Sequence, residues 1–219
     1  MEQKAYISIM KNIEESILKF IENENDDNED ECFQQIIELL NKTTIRKNSS
    51  GLKMLLHILT GISNNHQRNT HFFERIAKLL INLKNEILEY FTNIDIFNIF
   101  KSNKRILLFL IEEKILIFDR PIYNKISKKK YKTAKYIEYF SPEIRPFIKQ
   151  KDGNEEIPSD FLEKRKIGEN DSEICQIIRK DSIDDFIIYV NQRNLSLFET
   201  NIQQSIYETN SFLQKENLT

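Results

Sequence analysis

Residues 70–91 read THFFERIAKLLINLKNEILEYF, and in this stretch Phe72, Ile76, Leu79, Leu80, Leu83, Ile87 and Phe91 recur at steps of three and four. An α-helix turns once every 3.6 residues, so that spacing lines one helical face, whereas a half-buried strand would alternate. The pattern predicts a single amphipathic helix over 71–91, with Thr70 as its N-cap. The same steps run outward on both sides. Ile9, Met10, Ile13, Ile17, Phe20 and Ile21 predict a helix over 4–23, Phe33, Ile36, Ile37 and Leu40 one over 31–42, and Leu52, Leu55, Leu56 and Leu59 one over 52–63. Further helices are expected near 94–100 and 104–113.

Punctuation agrees with the period. All four prolines (Pro121, Pro142, Pro146 and Pro158) lie between 121 and 158, so nothing upstream breaks a helix. Asp119 ahead of Pro121, and Ser141 ahead of Pro142, mark two helix starts. Asp152-Gly153 and Pro158 mark 149–160 as a connecting loop. Beyond it, 171–179 and 182–191 form an expected antiparallel hairpin across Lys180-Asp181, with Asn170-x-x-Glu173 and Ser182-x-x-Asp185 as capping boxes. The chain is rich in Ile, a strand former, yet three-four spacing outweighs alternation. The expected fold is all-α, a solenoid-like array of short antiparallel helical hairpins. The expected division is 1–148 as a helical array, 149–160 as a loop and 161–219 as a hairpin with a C-terminal tail.

Composition narrows the chemistry. Four Gly in 219 residues cannot furnish a glycine-rich phosphate loop, and 32 Lys+Arg against 34 Asp+Glu give no overall basic field. The N-terminal stretch lacks the pattern of a secretory signal, and no apolar run approaches the ~18 residues of a membrane span. A reducing, cytoplasmic or nuclear setting is expected, with Cys32 and Cys175 as free thiols. His57, His66 and His71 supply half of a zinc pattern without a second ligand pair. In the acidic run 24–31, Asp26, Asn28 and Asp30 match the first ligands of a calcium loop. Glu31 then stands where the turn needs Gly, and Ile37 where the loop needs a closing Glu, so a solvated linker is expected instead. Neither G-x-S-x-G nor H-E-x-x-H occurs. No catalytic, cofactor or metal residue is assigned. One charge cluster has a conceivable ligand: Lys125, Lys128, Lys129, Lys130, Lys132 and Lys135, interleaved with Tyr131 and Tyr136, could neutralise phosphates while the rings stack on bases.

The hairpin carries a resemblance. Ile177 to Val190, with apolar residues at 183, 186, 187 and 190 after a short polar turn, resembles an ankyrin helix pair, and Ile99 to Leu110 reads the same way. The two lie almost 80 residues apart rather than the ~33 of tandem units, and no Thr-Pro-Leu-His motif is present. Longer strings, 62–66, 96–105, 139–144, 163–172 and 205–213, resemble the ankyrin-repeat proteins of trichomonad protists, over nearly the whole chain. The resemblance implies a helical N-terminal region of unknown function that leads into an ankyrin array, here ending about where that array would begin. It implies a non-enzymatic module whose partners are other proteins, with no small-molecule substrate. Two alternatives stand beside it: nucleic-acid or anion binding through Lys125–Lys135, and a structural cap for an ankyrin array involving Leu195, Leu197, Phe198, Phe212 and Leu213.

Overall fold

A computed structural model of the chain describes residues 2–22, 28–65, 70–128, 135–148, 157–195 and 205–209. These residues contain thirteen α-helices and no strand. The chain divides into two compact units, Met1–Ile117 and Phe118–Thr219.

The first unit holds α1 (Glu2–Glu22), α2 (Glu29–Lys42), α3 (Ser49–Asn65), α4 (Thr70–Asn82), α5 (Lys84–Tyr90), α6 (Asn93–Phe100) and α7 (Lys104–Glu112). Helix α3 is central, packing on α1, α4, α5 and α6. Its Leu52, Leu55, Leu56 and Leu59 are all buried, as the three-four spacing requires. A 3-10 turn at Ile45–Lys47 leads into α3, and Gly51 permits the approach. A Cβ at Gly51 would stand 3.0 Å from the Ile45 Cα. Asn48 Oδ1 accepts the Gly51 amide at 2.7 Å and so caps α3.

The expected helix over 71–91 is two helices, α4 and α5, parted at Leu83. The cause lies elsewhere in the sequence. Arg46 Nη2 donates to the Asn82 carbonyl at 3.2 Å and Nη1 to Asn82 Oδ1 at 3.1 Å, while its Nε donates to Glu86 Oε1 at 2.6 Å. A carbonyl drawn toward an arginine is tilted out of the helical ladder, and the helix opens there. Thr70 is the first residue of α4 rather than the residue before it. The acidic run is not wholly linker: Glu29, Asp30 and Glu31 form the first turn of α2, where carboxylates complement the helix dipole. Lys78 of α4 reaches Glu29 at 3.0 Å and Asp30 at 2.7 Å, and these bonds hold its ammonium above its usual range. Glu24 to Asp27 lie outside the described residues.

Helices α6 and α7 form a hairpin. Asn103 caps α7, its Oδ1 accepting the Ile106 amide at 3.0 Å, and its Nδ2 donates to Ser63 Oγ at 3.0 Å. One buried amide thus starts α7 and ties the turn to the end of α3.

The second unit holds α8 (Arg120–Ile126), α9 (Tyr136–Tyr139), α10 (Ser141–Ile144), α11 (Phe161–Ile167), α12 (Glu173–Arg179) and α13 (Ile183–Gln192). Asp119 caps α8 through the Ile122 amide at 3.0 Å, with Pro121 in the first turn, as its sequence predicts. Phe140, not Ser141, occupies the cap position of α10, with Pro142 in its first turn. Phe118, Tyr136 and Tyr139 each lie within 6 Å of the Phe140 ring, giving this unit an aromatic centre.

The two units divide at 117/118, and residues 149–156 of the expected connection lie outside the described set. Side chains on either side of that connection are bonded to each other. Arg165 Nη1 donates to Glu143 Oε2 at 2.8 Å and to the Tyr139 carbonyl at 3.3 Å, and Tyr139 Oη donates to the Arg165 carbonyl at 3.2 Å.

Candidate functional site

The hairpin of α12 and α13 is secured at its base. Helix α11 ends at Gly168, whose φ of +72° gives the left-handed cap that glycine adopts freely. The carbonyl of Gly168 accepts the Thr209 amide at 3.1 Å and the Thr209 hydroxyl at 2.8 Å. A Cβ at Gly168 would meet Thr209 Cγ2 at 3.0 Å, so glycine also makes room for this returning strap. Residues 205–209 bind the stretch just before α12 a second time, through Ser205 Oγ to Asp171 Oδ1 at 2.7 Å. Tyr207 packs its ring 5.6 Å from Phe161. Residues 205–209 are thereby fixed to the segment 161–171 that leads into the hairpin; residues 196–204 lie outside the described residues.

The strap has a charge dependence. Burial pushes the Asp171 carboxyl up, but bonds from the Ser205 hydroxyl and the Lys164 ammonium outweigh it and hold it below the usual carboxylate range. Lys164 bonds Asp160 at 2.9 Å and Asp171 at 3.1 Å, which hold its ammonium above the usual lysine range. A depressed carboxyl stabilises fully above its unfolded value of 3.8 and loses that contribution as pH falls through the lower folded value. A raised ammonium stabilises fully below 10.5 and loses its contribution only above that. The strap is expected to hold through neutral pH and to loosen in acid. The ring resonances of Tyr207 check this: they should move toward free-tyrosine values below about pH 4 while those of Phe20 in the first unit stay put. Unmoved Tyr207 resonances in acid would contradict it.

Between α12 and α13 the chain turns through three residues, Lys180 to Ser182, one more than the expected pair. Ser182 Oγ accepts the Asp185 amide at 3.4 Å as the cap of α13. That is one of the two bonds of the expected box, and the other expected box is replaced. Ser172 precedes α12, and Asn170 Oδ1 instead accepts the Ser172 amide at 2.9 Å, a local turn in which asparagine mimics a backbone carbonyl. The apolar residues at 183, 186, 187 and 190 do not form a covered face. Ile183 is 70% exposed and Ile187 52%, with Ile178 of α12 at 53%. No residue of either helix is fully buried, and Cys175 is half-buried. Ile178 is a residue that periodicity alone had no reason to single out.

The α6–α7 hairpin provides an internal standard. It also turns through three residues, Lys101 to Asn103, and its cap Asn103 accepts from the third helical residue as Ser182 does. Aligned on those caps, Leu108 corresponds to Ile187 and Ile99 to Ile178. Leu108 is 5% exposed and Ile99 4%. The same device is thus covered in one unit and bare in the other.

Lys125 lies half-buried in the last turn of α8, Lys128 is exposed just beyond it, and Lys135 precedes α9 with a φ of +48°. Lys129, Lys130, Lys132 and Tyr131 lie outside the described residues, as do His66, Leu197, Phe198, Phe212 and Leu213. His57 lines an open cleft of about 560 Å³ between α3 and α6, with Ser50, Lys53, Tyr90, Asp95 and Asn98. Asp95 is already engaged by Thr92 in a capping box. Among the described residues no group of three or more His, Cys, Asp or Glu is arranged to hold a metal ion. None of their helices is long and apolar enough to cross a membrane. No family model, curated protein or solved structure matches the chain.

Proposed function

We propose that this chain is a non-enzymatic protein-interaction module that binds through helical surfaces, with the α12–α13 hairpin as its principal contact. The observation that carries the reading is the pair of matched hairpins, one with its isoleucine and leucine face covered and one with that face in solvent. Water penalises exposed apolar surface by about 25 cal/mol per Å², so a partner that covers it gains binding energy with no special chemistry. The strap at 205–209 supports the same reading, because it holds the segment that leads into the hairpin, and a surface held in place loses less freedom when it binds. The resemblance to the trichomonad ankyrin-repeat proteins points the same way, since helix pairs of that kind stack face to face into solenoids and present surfaces to other proteins.

The test compares the full chain with an Ile183→Asp/Ile187→Asp double variant of unchanged circular dichroism. Both are immobilised in extract from the cells of origin. Partners retained by the parent and lost by the variant are expected. A partner set indifferent to the double substitution, or no partner where a folded control captures its own, contradicts the reading.

A further inference from the structure

We infer that the cleft between α3 and α6 binds a small zwitterion with an apolar side chain, an amino acid or a dipeptide. The site lies wholly within the first unit and is independent of the hairpin reading above.

Size and construction come first. The cleft holds about 560 Å³, within the ~300–1,000 Å³ common for small-molecule sites. Lys53 and His57 stand four apart on α3, so they share one face of that helix and line one wall. Asp95 of α6 lines the other. The two helices pack against each other, so the walls are parts of one folded unit. Tyr90 and Phe91, both half-buried, add aromatic surface to the same cleft.

Charge selects the ligand. Lys53 and Asp95 line one cleft, yet no ion pair joins them, and among the described residues neither Lys53 nor His57 has a partner. The Asp95 carboxylate is engaged on one side only. The Thr92 amide, at 3.2 Å, and the Thr92 hydroxyl both donate to its Oδ2, which leaves Oδ1 to accept from a ligand. A simple anion entering the cleft would meet the Asp95 carboxylate, and a simple cation the Lys53 ammonium, so each is opposed by a like charge. A molecule carrying both groups satisfies both walls. Its carboxylate accepts from the Lys53 ammonium and the His57 ring N–H, and its ammonium donates to Asp95 Oδ1. An apolar side chain on that molecule then packs on the rings of Tyr90 and Phe91.

Titration of the full chain with L-phenylalanine and, separately, with glycyl-L-phenylalanine tests the site and tells the two sources apart. Amide chemical shifts at Lys53, Tyr90 and Asn98 should saturate with at least one of them, with a dissociation constant of about 1 mM or below. The same ligand acetylated at its amine, or amidated at its carboxylate, should bind about ten-fold more weakly or worse, since each change leaves one wall unpaired. Asp95→Asn keeps an Oδ acceptor for Thr92 and should cut the preference over the acetylated form to less than about three-fold. Lys53→Gln should cut the preference over the amidated form in the same way. No saturable shift at the cleft with either ligand overturns the proposal. So does binding that one of the blocked forms retains in full, and so do charge preferences that survive both substitutions.

Discussion

Replacing Arg75 with Met is expected to destabilise the first unit by about 3–5 kcal/mol, the range found when one member of a buried charged cluster is removed. Arg75 is 1% exposed and sits on α4, where its neighbours on the same face are Leu79 and Ile76. Its Nη1 donates to the carbonyls of Phe20 at 2.8 Å and Ile21 at 3.0 Å, which are among the last of α1 and have no helical amide to accept. The guanidinium also lies 5.6 Å from the centre of the Phe20 ring, and its Nε is 3.7 Å from a Glu29 oxygen at the start of α2. One side chain therefore joins the end of α1, the beginning of α2 and the middle of α4. Methionine would fill much of the volume but leave those carbonyls buried and unpaired. Glu29→Gln, which keeps the carbonyl bonds, should cost much less. Chemical denaturation followed by circular dichroism measures both; an Arg75→Met loss below about 1 kcal/mol would show that the guanidinium does not hold α1 in place.

In the second unit the corresponding position is Arg165, and Arg165→Ala should cost about 3 kcal/mol. The side chain is 7% exposed and 2.8 Å from Glu143, and its guanidinium lies within 6 Å of both the Tyr139 and Phe161 rings. Removing it strands a largely buried carboxylate and parts residues 139–147 from 161–167. The consequence is regional: α11 carries the base of the hairpin, so loss of Arg165 should release the strap as well. Hydrogen exchange should therefore show lost protection at Thr209 together with α11, with the first unit unchanged. Arg165→Lys, which keeps the charge but not the planar fork, should restore only part of the stability. Full protection at Thr209 in Arg165→Ala would contradict the coupling.

Most of the helices are legible in sequence because their causes are local. The three-four spacing of Ile13, Ile17 and Phe20, the cap-then-proline order of Asp119 and Pro121, and the absence of proline before 121 each act within a turn or two. What was not legible depends on residues far apart. The break at Leu83 is imposed by Arg46, and no pattern within 71–91 contains it. The division at 117/118 is not marked by any local pattern, and the bond of Arg165 to Glu143, which crosses the expected 149–160 connection, joins side chains 22 positions apart. The candidate site was legible as an apolar face but not as an exposed one. Ile183, Phe186, Ile187 and Val190 have the spacing of buried residues, as does α7, and only the packing around each hairpin separates them. Of the lysine segment 125–135, Lys125 and Lys128 lie together at the end of α8 and Lys135 just before α9, while Lys129, Lys130 and Lys132 lie outside the described residues.

The account rests on the hairpin face lying outside the fold's own core, and matched truncations of Leu108 and Ile187 test this most directly. The two occupy equivalent positions in the two hairpins. Measured by urea denaturation at a concentration low enough to keep the chain monomeric, Leu108→Ala should cost about 2–4 kcal/mol and Ile187→Ala less than about 1. Equal losses at the two positions would place Ile187 inside the core and contradict the account.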